Sequence, residues 1–237
     1  MPRKPIITID GEAGAGKGSV GRILAARLGY AHMESGLLYR AVAAAVLGFG
    51  GNPASASDCS RAIKIADFSR MDAAALRPER IAQAASVLAD QPSVRMMILG
   101  IQRDFARRPP AQFGGAILDG REAGSVAVPG ADLKLYLTCA LGERARRRTH
   151  QLHALGVAVS IEEVLGSLAT RDARERGRAV APIRVPDGAV TIDTTNLTAE
   201  QAADFAAAAA PELFLAERRL ALIPDRVRFA EAAAEMC

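Results

Sequence analysis

One segment near the start of the chain, residues 6–19 with the sequence IITIDGEAGAGKGS, constrains the fold more than any other part of the sequence. Its apolar first half is typical of a buried β-strand, and its second half carries four glycines around Lys17. Because glycine adopts backbone conformations closed to other residues, several N–H groups of such a loop can point towards one anion. A helix is predicted over residues 19–28, and its N-terminus would face the same anion. The spacing from Gly11 to Lys17 therefore predicts a loop that holds the phosphates of a nucleotide.

The end of this loop departs from the general pattern, in which a serine or threonine directly follows the lysine. Here Gly18 follows Lys17, and Ser19 comes one residue later. This ending resembles the phosphate-binding loop of nucleoside monophosphate kinases. A glycine-rich turn without a ligand is the alternative interpretation, and the preceding strand, the helix start and the lysine argue against it. The residues expected to bind the donor nucleotide are Gly11, Glu12, Ala13, Gly14, Ala15, Gly16, Lys17, Gly18 and Ser19.

The composition sets limits on the class of protein. At 237 residues, half of them hydrophobic and 24% charged, the chain suits one globular α/β domain with an insertion. It has no apolar run long enough to span a membrane and no signal-peptide pattern, so we expect no membrane partner and a cytoplasmic location. The three cysteines have no metal-ligand spacing and are odd in number, so neither a zinc site nor a disulfide framework is expected.

The net charge of +4 raises the question of nucleic acid as a partner. The arginines concentrate in residues 144–148 and 171–178, however, and only 4% of the residues are aromatic, with no tryptophan. Platforms on which bases stack are therefore hard to build, whereas compact arginine clusters match a polyphosphate. We expect small-molecule nucleotides as partners, no nucleic acid, and a monomer.

Predicted strands alternate with predicted helices along the chain. One strand is predicted to begin at residue 6 and run into the glycine-rich loop, and others are predicted at residues 30–33, 116–119, 132–138 and 189–193. Helices are predicted at residues 19–28, 34–47, 78–89, 92–107, 141–155, 161–176 and 200–210, with a loop over 48–60. The alternation predicts a parallel sheet of about five strands, with ligands at the carboxyl ends of the strands. The tail, residues 212–237, is predicted to be helical and has no assigned role.

Four motifs together resemble the bacterial cytidylate kinase family: GEAGAGKGS at 11–19, ESGLLYR at 34–40, DGREAGSV at 119–126 and RDARERGRAVAP at 171–182. The resemblance extends from about residue 6 to residue 197. It implies a P-loop NTPase-like α/β fold flanked by helices, with a helical acceptor-binding insertion and a short arginine-rich lid. It also implies phosphorylation of cytidine and deoxycytidine monophosphate, with ATP as the donor and Mg²⁺ as cofactor. The corresponding boundaries are 1–48 and 112–211 for the core, about 156–182 for the lid, and 49–111 for the monophosphate-binding insertion.

The expected chemistry agrees with the abundance of arginine in these motifs. Phosphoryl transfer needs positive donors around a pentavalent centre and exclusion of water more than it needs acid–base groups. Arg144 and Arg148 are spaced to share one helix face, as are Arg171, Arg174 and Arg178. The resemblance implies that Arg144 covers the ATP base and that Ser19 and Asp119 hold magnesium, Asp119 through water. The residues it implies for catalysis are Lys17, Asp119, Arg121, Arg148, Arg171 and Arg174.

The acceptor site is assigned through the same resemblance. Its residues would be Ser35, Arg40, Ser86, Arg95, Arg121, Glu122, Arg171, Glu175 and Arg178. Of these, Arg40 would hold the monophosphate in two parallel hydrogen bonds, for which a planar guanidinium is better suited than an ammonium. Ser86 and Arg95 would read the cytosine ring and the acceptor, although a serine in an alanine-rich helix could equally be a packing residue.

The chain departs from the family pattern at three glutamates, Glu34, Glu122 and Glu175, where aspartate is usual. Each adds one methylene before the carboxylate, and we therefore hypothesise a relaxed or shifted acceptor choice. Residues 52–80 are also too few for the small sheet that longer family members carry in this region. Two alternatives stay open: a kinase of similar architecture acting on UMP or AMP, and a nucleotide-binding switch module.

Overall fold

The computed structural model describes residues 3–68, 71–177, 183–210 and 212–213. In this part of the chain five strands form one sheet: β1 (Ile6–Gly11), β2 (Ala31–Glu34), β3 (Ala116–Asp119), β4 (Leu133–Thr138) and β5 (Val190–Asp193). Their order across the sheet is β2-β3-β1-β4-β5, and every neighbouring pair is parallel. The carboxyl ends of all five strands therefore lie at one edge, and the predicted parallel α/β sheet is confirmed.

Eight α-helices accompany the sheet among the described residues. They are α1 (Lys17–Leu28), α2 (Ser35–Gly48), α3 (Ala56–Ile65), α4 (Glu79–Leu88), α5 (Pro92–Arg107), α6 (Leu141–Ala154), α7 (Ile161–Arg176) and α8 (Ala199–Ala209). A π-helical turn, Ala123–Ala127, follows β3. None of the helices in the described ranges is long and apolar enough to cross a membrane.

The predicted loop over residues 48–60 is wrong in its second half, because α3 begins at Ala56. The side chain of Ser55 accepts a hydrogen bond from the backbone N–H of Asp58 and so caps the helix. Burial of Cys59 and Ala62 then fixes one helix face against the protein. The predicted tail helix lies outside the described residues apart from 212–213, and so does the predicted site residue Arg178.

Two of the groups of buried residues in the described part of the chain position the site. The first surrounds β1, whose Ile7 and Ile9 are fully buried, as expected of a strand in a parallel sheet covered by helices. The second joins α2 to α3, α4 and α5 through residues such as Val42, Leu88 and Ile98, all fully buried. Each such side chain contributes about 1.5–3 kcal/mol by leaving water. The helices between β2 and β3 therefore have a core of their own, shared with α2.

Candidate active site

The predicted phosphate-binding loop joins β1 to α1 at the carboxyl edge of the sheet. Gly11 has a φ of 142°, and a Cβ there would lie 2.0 Å from the carbonyl oxygen of Leu137 on β4. Only glycine therefore lets the chain leave β1 so close to its neighbouring strand. Gly16 has a φ of 91° and precedes the first residue of α1. The loop thus ends at a helix N-terminus, which favours a bound anion.

Lys17 is the cation of this loop, and its side chain turns back onto the loop. Its Nζ donates a hydrogen bond of 2.6 Å to the carbonyl oxygen of Glu12. Burial, together with the nearby positive charge of Arg121, lowers the pKa of Lys17 to about 7. A phosphate bound in the loop would place negative charge beside the Lys17 ammonium and so favour its charged form.

Glu175 on α7 joins two of the predicted catalytic arginines. One carboxylate oxygen accepts from Arg121 Nε at 2.7 Å, and the other accepts from Arg171 Nε at 2.9 Å. Burial alone would raise the pKa of Glu175, but the two guanidinium groups hold it well below its usual range. Burial alone would lower the pKa of Arg121, but the ion pair with Glu175 outweighs this effect of burial. The pKa of Arg121 is therefore raised. Glu175 is therefore an anion that holds two arginines at the edge of the sheet.

A second buried ion pair joins the inserted helices to the core. Arg95 on α5 donates to the carboxylate of Glu122, and both side chains are only 8% exposed. Arg95 also donates to the carbonyl oxygen of Ala89 at 3.2 Å. Ser86 on α4 is buried and accepts from Arg174 Nη1 at 3.3 Å. Helix α7 thus contacts the insertion at a residue predicted to read the acceptor base.

Ser35 and Arg40 lie on α2, the helix that leads into the insertion. Arg40 Nη1 donates to the carbonyl oxygen of Leu76 at 2.9 Å. Burial and the neighbouring charges of Arg171 and Arg148 lower the pKa of Arg40 to about 10, so it remains a cation at neutral pH. Ser35 is buried and accepts a hydrogen bond of 2.7 Å from Gln102 Nε2. Gln102 was not predicted as a site residue, because its place in α5 gives no signal of this contact.

Asp119 at the end of β3 has a partner that was not predicted from the sequence. His32 Nε2 on β2 donates a hydrogen bond of 2.8 Å to Asp119 Oδ2. The two strands are neighbours in the sheet, but their order could not be read from the sequence.

Asp10 on β1 was also not predicted as a site residue, because its partners lie in the turn after β3, far away in the sequence. Its buried carboxylate accepts from the N–H groups of Ala123 and Gly124, both at 2.7 Å, and burial raises its pKa to about 6.

The two predicted site arginines of α6 have different environments. Arg148 donates to Glu79 and to the carbonyl oxygen of Arg77, both at 3.2 Å, and so contacts the inserted helices. Arg144 is buried and donates to the carbonyl oxygens of Ala13 and Cys139 and to the carboxylate of Asp172. In this arrangement Arg144 braces the phosphate-binding loop against α7.

A cavity of about 850 Å³ lies above the carboxyl edge of the sheet. Its wall brings together many of the predicted site residues: residues 13–19, Arg40, Asp119, Arg121, Arg148 and Arg171. Other predicted residues are buried around it in the hydrogen bonds described above: Ser35, Ser86, Arg95, Glu122, Arg144 and Glu175. The volume is in the range of nucleotide and cofactor sites. The individual roles of these residues stay predictions.

A parallel sheet whose central strand leads into a glycine-rich phosphate-binding loop, with arginines gathered at its carboxyl edge, defines a P-loop nucleotide kinase. The family model for cytidylate kinase matches residues 7–212. The chain therefore belongs to the cytidylate kinase family and is an enzyme of the nucleoside monophosphate kinase class.

Curated relatives agree with this membership. The cytidylate kinase of Rhodospirillum rubrum is 42% identical over 197 residues, covering 83% of this chain and 92% of the relative. That of Cereibacter sphaeroides is 45% identical, covering 83% of this chain and 90% of the relative. That of Azorhizobium caulinodans is 43% identical, covering 86% and 96%.

Proposed function

We propose that the enzyme transfers the terminal phosphoryl group of ATP to CMP and dCMP. The observation that carries the proposal is the convergence of the Lys17 ammonium with several guanidinium groups on a single cavity, among them those of Arg40, Arg121, Arg148 and Arg171. Such a set of donors suits a transition state whose negative charge spreads over phosphate oxygens. Family membership favours cytidylate over the alternatives that the sequence left open, which were UMP, AMP or a switch function.

The donor phosphates would bind in the loop of residues 11–19. Backbone N–H groups at the start of α1 would hold them, and Lys17 would turn from the carbonyl oxygen of Glu12 to the phosphate. Arg121 and Arg171, held by Glu175, would then stabilise charge on the transferred group. The protein contributes position and charge here, because the transfer itself needs little covalent chemistry from side chains.

The acceptor would lie between the core and the insertion. Ser35 and Arg40 would hold its phosphate, and Ser86, Arg95 and Glu122 would lie nearer its base. The separate core shared by α2 with α3, α4 and α5 supports treating residues 49–111 as the monophosphate-binding unit and residues 1–48 and 112–211 as the main body. The lid of residues 156–182 includes α7, which carries Arg171, Arg174 and Glu175, and its closure would exclude water.

Magnesium fits the residues at the cavity wall. Ser19 offers a hydroxyl and Asp119 a carboxylate, and both line the cavity. Within the described ranges no group of three or more histidine, cysteine or acidic side chains is placed to hold a metal ion. Few protein ligands suit magnesium, which keeps several waters and binds substrate phosphates. When bound, it would supply positive charge that offsets the negative charge of the phosphate oxygens. The cytoplasmic location and monomeric state expected from the sequence stay predictions.

The three glutamates bear on acceptor choice. Glu122 and Glu175 are buried in ion pairs with arginines, so a change of one methylene would move a guanidinium as well as a carboxylate. We expect Glu122→Asp and Glu175→Asp to alter the ratio of kcat/KM among CMP, dCMP and UMP. Steady-state kinetics with each acceptor would measure it. An unchanged ratio of kcat/KM among the acceptors in both variants would contradict the hypothesis of a shifted acceptor choice.

The test of the proposed function is a coupled assay for ADP formation from ATP and magnesium with a panel of CMP, dCMP, UMP and AMP. We expect ADP formation only with an acceptor, and fastest with CMP or dCMP. Lys17→Ala should lower kcat by about 100-fold or more, since it removes a charge that faces the phosphates. ADP release at the same rate without an acceptor would contradict the proposal and favour a switch.

A further inference from the structure

The cavity extends beyond the phosphate-binding loop to the turn between β5 and α8. Thr194 and Leu197 in this turn line the cavity, as do the first residues of α8 and His150 and Gln151 on α6. No role was assigned from the sequence to Thr194, Leu197 or the first residues of α8, and none of them is among the proposed acceptor residues.

One guanidinium group of α6 shapes this turn. Arg147 Nη2 donates to the carbonyl oxygens of Thr194 at 2.6 Å, Leu197 at 3.2 Å and Thr195 at 3.3 Å. Its Nη1 lies 3.4 Å from the hydroxyl of Thr194. Three carbonyls of one turn, those of residues 194, 195 and 197, therefore face a single nitrogen, which shares its two protons among them.

Two further contacts fix this arrangement. Arg147 Nε donates to Glu143 Oε1 at 2.8 Å, which sets the direction of the guanidinium plane. Hydrogen bonds from Arg146 and Arg147 lower the pKa of Glu143 to about 2, so it is an anion at neutral pH. The buried hydroxyl of Thr194 lies 3.0 Å from the carbonyl oxygen of Ala15 in the phosphate-binding loop. The turn is thereby tied to the loop on one side and to α6 on the other.

We propose that Arg147 is a positioning residue for the donor nucleotide, because it fixes the turn of residues 194–197 as the seat of the donor base. The proposal rests on the proposed function, in which the donor phosphates occupy the loop at Lys17. With the acceptor lying towards Arg40 and the insertion, the remaining end of the cavity is the one that reaches this turn. A lysine would keep the charge but could not hold Glu143 and the three carbonyls with one planar group.

The experiment compares Arg147→Lys and Arg147→Gln with the unmodified full chain. ADP and CMP are titrated separately by calorimetry in the presence of magnesium chloride, and kcat and both KM values are measured in the coupled assay. We expect the Kd for ADP and the KM for ATP to rise about tenfold, as expected when several charge-assisted hydrogen bonds are lost. The Kd for CMP, and kcat at saturating ATP, should stay within about twofold.

The matched control is Arg27→Gln. Arg27 makes a comparable ion pair of 2.8 Å with Asp204 on α8 but lies away from the cavity wall. We expect this variant to bind ADP like the unmodified chain. If the Arg147→Gln variant does not fold, the Arg147→Lys variant alone is compared with the unmodified chain.

Two outcomes would overturn the inference. One is an unchanged Kd for ADP in folded Arg147 variants, and the other is an equal weakening of ADP and CMP binding, which indicates a general structural role. Because ADP binding is measured without turnover, either outcome is distinct from failure of the proposed function. That failure would appear as absence of CMP-dependent ADP formation in the unmodified chain.

Discussion

At the scale of single residues, the buried ammonium of Lys17 makes nucleotide binding dependent on pH. The pKa of Lys17 is lowered to about 7 in the free enzyme by burial and by Arg121. Bound phosphate favours the charged form and would raise this pKa again. Above pH 7 the free enzyme has therefore lost a proton that the complex requires.

We expect ADP binding to take up a proton at pH 8, and the affinity for ADP to fall between pH 7 and pH 9, by at most about tenfold per pH unit. Calorimetry at pH 8 in two buffers with different ionisation enthalpies would measure the uptake. The Lys17→Met variant should bind ADP more weakly than the unmodified chain, and its binding should take up no proton. An affinity that stays flat from pH 7 to 9 in the unmodified chain would show that Lys17 is charged throughout.

The contact between His32 and Asp119 gives a second prediction at this scale. A Cβ at Gly21 would lie 2.5 Å from His32 Nε2, so Gly21→Ala should push the imidazole away from Asp119. Alanine in a helix is otherwise favoured over glycine by about 1 kcal/mol. We expect Gly21→Ala to lower kcat about tenfold through a misplaced Asp119, with little change in either KM. Gly166→Ala on α7 is the control, because nothing lies within 4 Å of a Cβ there. Equal kcat in both variants would contradict this role of His32.

At the scale of elements, the helices of the insertion depend on their own buried side chains. Ile98 on α5 is fully buried, whereas Met96 on the same helix is 70% exposed. Ile98→Ala should lower the free energy of unfolding by about 2–5 kcal/mol, and Met96→Ala should change it by less than about 0.5 kcal/mol. Urea unfolding would measure both. Similar midpoints for the two variants would mean that this cluster contributes little to stability.

The sequence predicted these elements well because their signals are local. The apolar run at residues 116–119 and the proline at residue 92 each fix a boundary without reference to the rest of the chain. Helix α3 was missed because the segment that leads into it is rich in glycine, asparagine, proline and serine up to Ser57, and the cap at Ser55 acts within that segment.

The site was predictable only where a motif marks it. Residues of the loop and of the arginine motifs were found from their spacing. His32, Gln102 and Arg147 were missed, because each acts through a partner that is brought close by strand order or by a turn far away in the sequence. Such contacts follow from the three-dimensional arrangement and leave no pattern in the local sequence.

At the scale of the whole molecule, the nucleotide site joins parts of the chain that are far apart. The loop is near the N-terminus, the arginines of α6 and α7 come after residue 140, and the insertion interrupts the sheet between β2 and β3. The ion pairs Arg95–Glu122 and Arg148–Glu79 link the insertion to the main body. Both nucleotides would therefore bind where these parts meet, which is consistent with a site completed by domain closure.

The central position of β1 has a consequence for synthesis of the protein on the ribosome. This strand is made first, yet its two neighbours follow more than 100 residues later, with Ile7 paired to Ile117 and to Leu133. Until β3 and β4 emerge, the apolar β1 segment has no strand to pair with for several seconds of translation. During this time it can aggregate or bind chaperones. The helices of the insertion, whose contacts are more local, are free to form earlier. Because Gly11 packs against Leu137, the phosphate-binding loop reaches its final shape only after β4 has been added.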